Sequence, residues 1–273
     1  MDRNAFLERL DELKIREYLV VNGLSNVKNV DVFSSIPSTN DYLLESALAN
    51  KQISVCLSEQ QTKGRGRYGH QWVSPSAANL YISMSWPFQV WKQEYETLSL
   101  WLLISIAELL EQYGCNNIQL KWPNDLCFDN KKLAGVLIDR KVSQTKNALI
   151  IGVGLNVAMS LHNDVKIDAP WVDLLSIKSD WELSRNELAA NIISSFYNTL
   201  MSLEESRLGD LNDKWQMYDM LLNERIEFLN EGKIKTGCVK GIDDLGNIFL
   251  SLDGSLVNMH SAHVSEIKII GNT

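Results

Sequence analysis

Cysteine is scarce in this chain, and nowhere is it spaced for chemistry. Cys56, Cys115, Cys127 and Cys238 form no C-x-x-C and join no histidine at metal-ligand spacing. That excludes a structural zinc and a disulfide framework, and points to reduced, mostly buried thiols in a cytoplasmic setting. Positive charge is in deficit: 26 Lys and Arg stand against 34 Asp and Glu, a formal net charge of −8. A protein that coats nucleic acid carries a broad basic face, so DNA is not an expected partner. Long apolar runs are missing too. The most apolar window, Leu98 to Leu110, is interrupted by Ser99, Ser105 and Glu108 and falls short of the ~20 residues that span a bilayer. It reads as a core helix, and no membrane role is expected. The opening Met-Asp-Arg-Asn lacks the charged-then-apolar pattern of a signal peptide. What remains is an ordinary globular chain of 273 residues, long enough for one large core and a small satellite domain.

Against that acidic background one stretch stands out. Lys63-Gly64-Arg65-Gly66-Arg67-Tyr68-Gly69 puts three glycines and three cations in seven residues. Glycine lets backbone N–H groups approach an anion closely, and arginine adds a planar fork of donors matched to phosphate or carboxylate oxygens. The plain alternative is a solvated surface turn. The neighbours of the loop bear on the choice. Ile53 to Leu57 reads as a strand before it, and Leu80 to Trp86 alternates as a half-buried strand after it. A loop that bridges two strands excludes the phosphate-binding P-loop and the dinucleotide fingerprint, whose glycines open a helix.

The remaining elements follow from periodicity. Phe6, Leu7, Leu10 and Leu13 predict a short amphipathic helix over 4–13, and nothing before Ser34 reads as helix-turn-helix. Ser38-Thr39-Asn40-Asp41 and Ser184 with Glu187 are capping signals for two further helices. Leu98 to Tyr113 is the main core helix; Ile118 to Trp122, Lys132 to Asp139 and Ala148 to Val157 are strands. From Arg225 onward, five short strands separated by tight turns suggest a small antiparallel barrel, with a domain boundary at 220–224.

Strand ends thus deliver Lys121, Asn124, Asp125, Lys132 and Asn156, and the loop brings Arg65 and Arg67. Taken singly, Lys132 is a solvated edge lysine, Asp125 a turn residue after proline, and Ser38 to Asn40 a cap. Together, several cations with one carboxylate suit a polyphosphate and a divalent metal, because they neutralise the charge that builds at phosphorus.

These residues also resemble a known family. Ser38-Thr39-Asn40, Gln61 followed by Gly64-Arg65-Gly66-Arg67-x-Gly69-x-x-Trp72, Asn79-Leu80-Tyr81-x-Ser83, Lys121-Trp122-Pro123-Asn124-Asp125, Lys132-Leu133-Ala134-Gly135 and Gly152-x-Gly154-x-Asn156 are similar, in order and spacing, to the motifs of biotin protein ligases. The resemblance implies an α+β fold: residues 1–30 as an N-terminal helical segment, a catalytic domain over 31–222 and an SH3-like barrel over 223–273. The catalytic domain would be a mixed sheet with helices on one side, related to class II aminoacyl-tRNA synthetases.

It further implies that biotin is activated with ATP and Mg²⁺ as biotinyl-5′-AMP. The biotin then passes to a lysine of the biotin carboxyl carrier protein of acetyl-CoA carboxylase. In that reading Arg67, Lys132 and Asp125 are catalytic, with Asp125 a ligand of Mg²⁺. Ser38, Thr39, Asn40, Gln61, Gly64, Arg65, Arg67, Lys132 and Gly135 hold biotin, while Arg65, Arg67, Trp72, Asn124, Lys132 and Asn156 hold the nucleotide. Tyr68, His70 and Gln71 depart from the family by replacing basic residues. Some members carry an N-terminal winged helix-turn-helix and act as repressors, and residues 1–30 are too few for that module. Family members form homodimers or act as monomers. Two alternatives stand beside this reading: a lipoate or octanoate ligase of the same superfamily, and a non-catalytic module that binds biotin or the carrier.

Overall fold

The computed structural model describes residues 8–27, 29–46, 52–143, 146–162, 166–181, 183–252 and 254–271. The first helix, α1, spans Glu12–Val21, because the Asp11 carboxylate accepts from the Leu13 and Lys14 backbone N–H groups and fixes the start there. This corrects the expected helix over 4–13. Residues 8–11 are not helical, Leu13 is 70% exposed, and the buried positions are Ile15 and Leu19. Phe6 and Leu7 lie outside the described residues.

There follow β1 (Asn29–Phe33), α2 (Thr39–Ser46), β2 (Ser54–Ser58), β3 (Asn79–Phe88), α3 (Leu98–Gln112), β4 (Gln119–Lys121), β5 (Asp125–Phe128), β6 (Lys131–Val142) and β7 (Asn147–Asn156). Next come α4 (Leu174–Ile177), α5 (Arg185–Glu204) and α6 (Leu211–Gln216). The chain closes with β8 (Arg225–Asn230), β9 (Lys233–Ile242), β10 (Ile248–Leu252), β11 (Ser255–Met259) and β12 (Val264–Ile269). Seven strands form a mixed sheet in the order β1-β2-β3-β7-β6-β5-β4, with only β1 and β2 parallel. The last five form a separate antiparallel sheet, β11-β10-β9-β8-β12.

Side-chain alternation divides the large sheet into two unlike faces. Val55, Leu57, Leu80, Ile82, Met84, Leu149, Ile151 and Val153 join the main core with residues of α1, α3 and α5. Their neighbours Cys56, Ala148 and Ile150 pack instead with Leu43 of α2. The expectation of helices on one side therefore holds for three helices and fails for α2. The face that α2 covers only in part is where the polar residues of the motifs emerge.

Three of the thiols are buried and free. Burial pushes Cys115 up to about 11 and Cys127 to about 12, so both stay protonated and unreactive near neutral pH.

Candidate functional site

The site begins where α2 meets the sheet. Ser38 Oγ accepts from the Asp41 N–H at 3.3 Å, the expected cap. The next turn lies so close to β7 that a Cβ on Gly152 would sit 2.2 Å from Asn40 Oδ1. Only glycine leaves room for this amide. Ser83 Oγ, opposite Gly152 in the β3–β7 ladder, donates to Asn40 Oδ1 at 2.5 Å and stands 2.7 Å from Thr39 Oγ1. The Thr39 N–H donates to Gln61 Oε1 at 2.9 Å, and Gln61 Nε2 reaches Ser74 Oγ at 3.3 Å. On the other side, Asn40 Nδ2 donates to Asp139 Oδ2 at 2.8 Å. A continuous polar chain thus runs from Asp139 to Ser74 across one face of an otherwise apolar sheet.

The Gly/Arg loop folds over this chain. Arg65 is forked between two carboxylates, Asp139 at 2.7 Å and Asp41 at 2.9 Å. Arg67 donates to the Ser261 carbonyl at 2.8 Å, and burial pulls its pKa down from the ordinary value. Even so, an arginine stays charged. Trp72 lies on the paired glycines Gly135 and Gly154 of the β6–β7 ladder. A Cβ on Gly154 would come within 2.4 Å of the indole, and one on Gly135 within 3.3 Å. The room expected over Gly135 for a ligand is therefore partly filled by Trp72. Lys132 Nζ stands 2.6 Å from Asp125 Oδ1 and 5.2 Å from the Trp72 ring centroid. Lys121, from the end of β4, donates to the Ile267 carbonyl of β12 at 2.8 Å.

Between the sheet face, the loop, the β4–β5 turn and β12 lies a cleft of about 400 Å³. It brings together Ser38, Thr39, Asn40, Gln61, Arg65, Arg67, Trp72, Asn124, Asp125, Lys132 and Gly135. Two expected residues are not on its wall. Gly64 is packed inside the loop, where a Cβ would meet the Trp72 carbonyl at 2.5 Å, so this glycine serves loop closure. Asn156 is buried and donates to the Val172 and Lys132 carbonyls at 3.1 and 3.3 Å, tying strand ends together.

Several residues were missed by sequence reasoning. Asp139 had a legible signal: it follows Gly135 and Leu137 at period two, on the site face of a strand. Glu266 reaches the cleft from the distant β12 at φ 53°, beside a register shift, and nothing local in its sequence marks it.

Each cation of the cleft already has a partner. Arg65 and Lys132 face carboxylates, while Arg67 and Lys121 face backbone carbonyls. The arrangement holds four positive charges in place for an anionic ligand, and those charges would otherwise be mobile and hydrated. Preorganised charge of this kind is the main resource for stabilising a reaction between anions.

Residues 32–156 match the biotin/lipoate A/B protein ligase family. The chain is 35% identical over 228 residues to the bifunctional ligase/repressor BirA of Escherichia coli, an alignment that covers 83% of this chain and 70% of that protein. It is 28% identical over 275 residues to the biotin–[acetyl-CoA-carboxylase] ligase of Mycobacterium tuberculosis, covering 98% of this chain and 99% of the other. Among solved structures, a biotin protein ligase from Aquifex aeolicus in complex with biotin and ATP superposes with a TM-score of 0.73 at 26% identity, covering 89% of this chain and 100% of that one.

Proposed function

The chain belongs to the biotin/lipoate A/B protein ligase family, and within it to the biotin protein ligases; from that premise we propose that it activates biotin with ATP and transfers it to a carrier lysine. The first step joins the biotin carboxylate to the α-phosphate of ATP, releasing pyrophosphate. The second gives an amide on the carrier lysine and frees AMP.

The observation that carries this reading is the polar chain beside the clustered cations. A cyclic urea offers donors and acceptors on a rigid ring, which suits the amides of Asn40 and Gln61 and the hydroxyls of Ser38, Thr39 and Ser83. A dithiolane or an alkyl chain offers no donors or acceptors to these groups, and sites built to hydrogen-bond a substrate reject analogues that cannot. At the other end two anions must meet. Arg65 and Arg67 are assigned to the carboxylate and the α-phosphate, Lys132 to the charge that develops between them, and Trp72 and Asn124 to the nucleotide.

Mg²⁺ accompanies the nucleotide in this reading. The described residues hold no group of three His, Cys, Asp or Glu side chains able to cage an ion. Mg²⁺ takes one or two carboxylates and fills its other positions with phosphates and water, so no such group is required. Asp125 would supply the carboxylate. The acceptor is assigned as a biotin carboxyl carrier protein, and the five-stranded terminal sheet supports an SH3-like barrel. Among the described residues no helix is long and apolar enough to cross a membrane; the free thiols support a cytoplasmic setting.

ATP–pyrophosphate exchange tests the reading. With purified protein and Mg²⁺, biotin is expected to drive exchange while lipoate and octanoate do not, and labelled biotin is expected on the lysine of a carrier domain. Exchange with lipoate or octanoate instead would move the chain to the sister activity, and none with any acid would leave a binding module.

Asp139 gives a second expectation. Its carboxylate orients both Asn40 and Arg65 without bordering the cleft itself, and removing such a supporting group costs about 10–100-fold elsewhere. Asp139→Ala is expected to raise the KM for biotin about tenfold with kcat within about threefold. An unchanged KM would remove Asp139 from the site.

A further inference from the structure

Within the Gly/Arg loop, Tyr68 is a residue that the proposed reaction does not use. It stands where the resemblance places a basic residue, and its backbone lies in the left-handed region at φ 53° and ψ 26°. A residue with a Cβ adopts that conformation at a cost, so contacts elsewhere hold it there. Those contacts converge on one segment. The Tyr68 hydroxyl meets the Ser261 carbonyl and, at 3.0 Å, the Val264 carbonyl, and it accepts from Arg67 Nη2 at 3.2 Å. The same Arg67 nitrogen donates to Ser261, and the guanidinium stands 4.9 Å from the Tyr68 ring centroid. Ser261 begins the short turn that feeds β12. Two consecutive loop side chains therefore grip the C-terminal sheet with no ligand required.

Resting on the ligase reading above, we infer that Tyr68 is a latch, a positioning residue that docks the Gly/Arg loop on the C-terminal sheet and keeps the cleft shut over the adenylate. Arg67 cannot fill this role during turnover, because a guanidinium drawn to a phosphate gives up its neutral carbonyl partner for a charged one. Tyr68 carries no charge and has no such competitor, so it holds the loop while Arg67 turns to the substrate. Closure matters because the mixed anhydride of biotin and AMP is consumed by any water that reaches it. A phenol–carbonyl contact is also insensitive to ionic strength, whereas a basic residue at this position would be screened by salt.

Tyr68→Phe removes the hydroxyl and keeps the ring, and two measurements decide the matter. In the ligand-free protein, trypsin cleavage after Arg65 and Arg67, followed by mass spectrometry, is expected to rise about fivefold, within the roughly 2- to 12-fold that a neutral hydrogen bond is worth. In protein loaded with ATP and radiolabelled biotin and then freed of small molecules, label is expected to be lost about fivefold faster, while biotin-driven exchange changes by less than about twofold. Unchanged cleavage overturns the latch whatever the activity. Faster cleavage with unchanged label loss overturns its link to the adenylate, and a parallel fall in exchange, retention and thermal midpoint reduces Tyr68 to a structural residue. Absence of exchange in the wild-type protein would count against the ligase reading instead, and the cleavage measurement would still decide the latch.

Discussion

Lys132→Ala is expected to lower biotin-driven ATP–pyrophosphate exchange by about 10²- to 10³-fold, the loss that follows removal of one preorganised group aimed at developing charge. The expectation combines two effects of the same sign. The ammonium that would face the pentacoordinate phosphorus is gone, and Asp125 loses the partner at 2.6 Å that holds its carboxylate in position beside the nucleotide. Stability should hardly change. The Lys132 side chain is one-third exposed, and ion pairs in that setting contribute at most about 1 kcal/mol because solvent screens them. At roughly 2–4 °C per kcal/mol for a chain of this size class, the thermal midpoint should fall by no more than about 4 °C. Lys132→Met separates charge from bulk, since it keeps an apolar stem against Trp72, and it should lose nearly as much exchange as alanine. Exchange within threefold of wild type in both variants would remove Lys132 from the chemistry.

Much of this site was legible because its residues come in local runs. The Gly/Arg loop, Lys121 to Asp125 and Lys132 to Gly135 each carry their signal within a few positions, and strand periodicity was enough to bring them to neighbouring strand ends. Errors came where a residue's meaning depends on what lies across from it. Asn156 has the same chemistry as Asn40, yet it is turned to the Val172 and Lys132 carbonyls while Asn40 meets Ser83. Nothing in either residue's flanking sequence says which. The start of α1 was misplaced because Leu10 and Leu13 fit a helical stripe, while Asp11 between them captures two backbone N–H groups and decides the boundary. The resemblance implied helices on one side of the sheet, and α2 departs from it; its own apolar positions declare only that one of its sides is covered. The strand register places Cys56, Ala148 and Ile150 opposite Leu43. β5 drew no strand assignment, and Asp125 alone carried a turn reading after proline; the register Lys121↔Asp125 confines the turn to the three residues between them. The contribution of β12 to the cleft was invisible for a simpler reason. It depends on how the terminal sheet packs on the large one, through contacts such as Trp122 Nε1 to the Gly246 carbonyl at 2.9 Å.

Arg185→Met is expected to destabilise the fold by about 3–5 kcal/mol, the usual result of removing one member of a buried ion pair. At roughly 2–4 °C per kcal/mol, the thermal midpoint should fall by about 6–20 °C. Arg185 opens α5 and is fully buried. It donates to both carboxylate oxygens of Glu59, at 2.7 and 3.2 Å, to the Asn79 carbonyl at 3.2 Å and to the Glu8 carbonyl at 2.7 Å. Glu59 in turn accepts from the Leu10 N–H at 2.6 Å. The N-terminal segment, the end of β2, the start of β3 and α5 are thus tied at one point. Methionine fills part of the volume but leaves a buried carboxylate and two carbonyls without this donor. A double variant, Arg185→Met with Glu59→Leu, removes both charges and should recover most of the loss, since apolar replacement of a whole buried pair is often neutral. The link to function lies two residues further on. Glu59 fixes the segment that carries Gln61, and Gln61 accepts from Thr39 inside the polar chain. The double variant, assayed well below its melting point, is therefore expected to bind biotin several-fold more weakly even where its stability is restored. Full recovery of both stability and biotin KM would show that the buried pair holds the fold together without setting the position of Gln61.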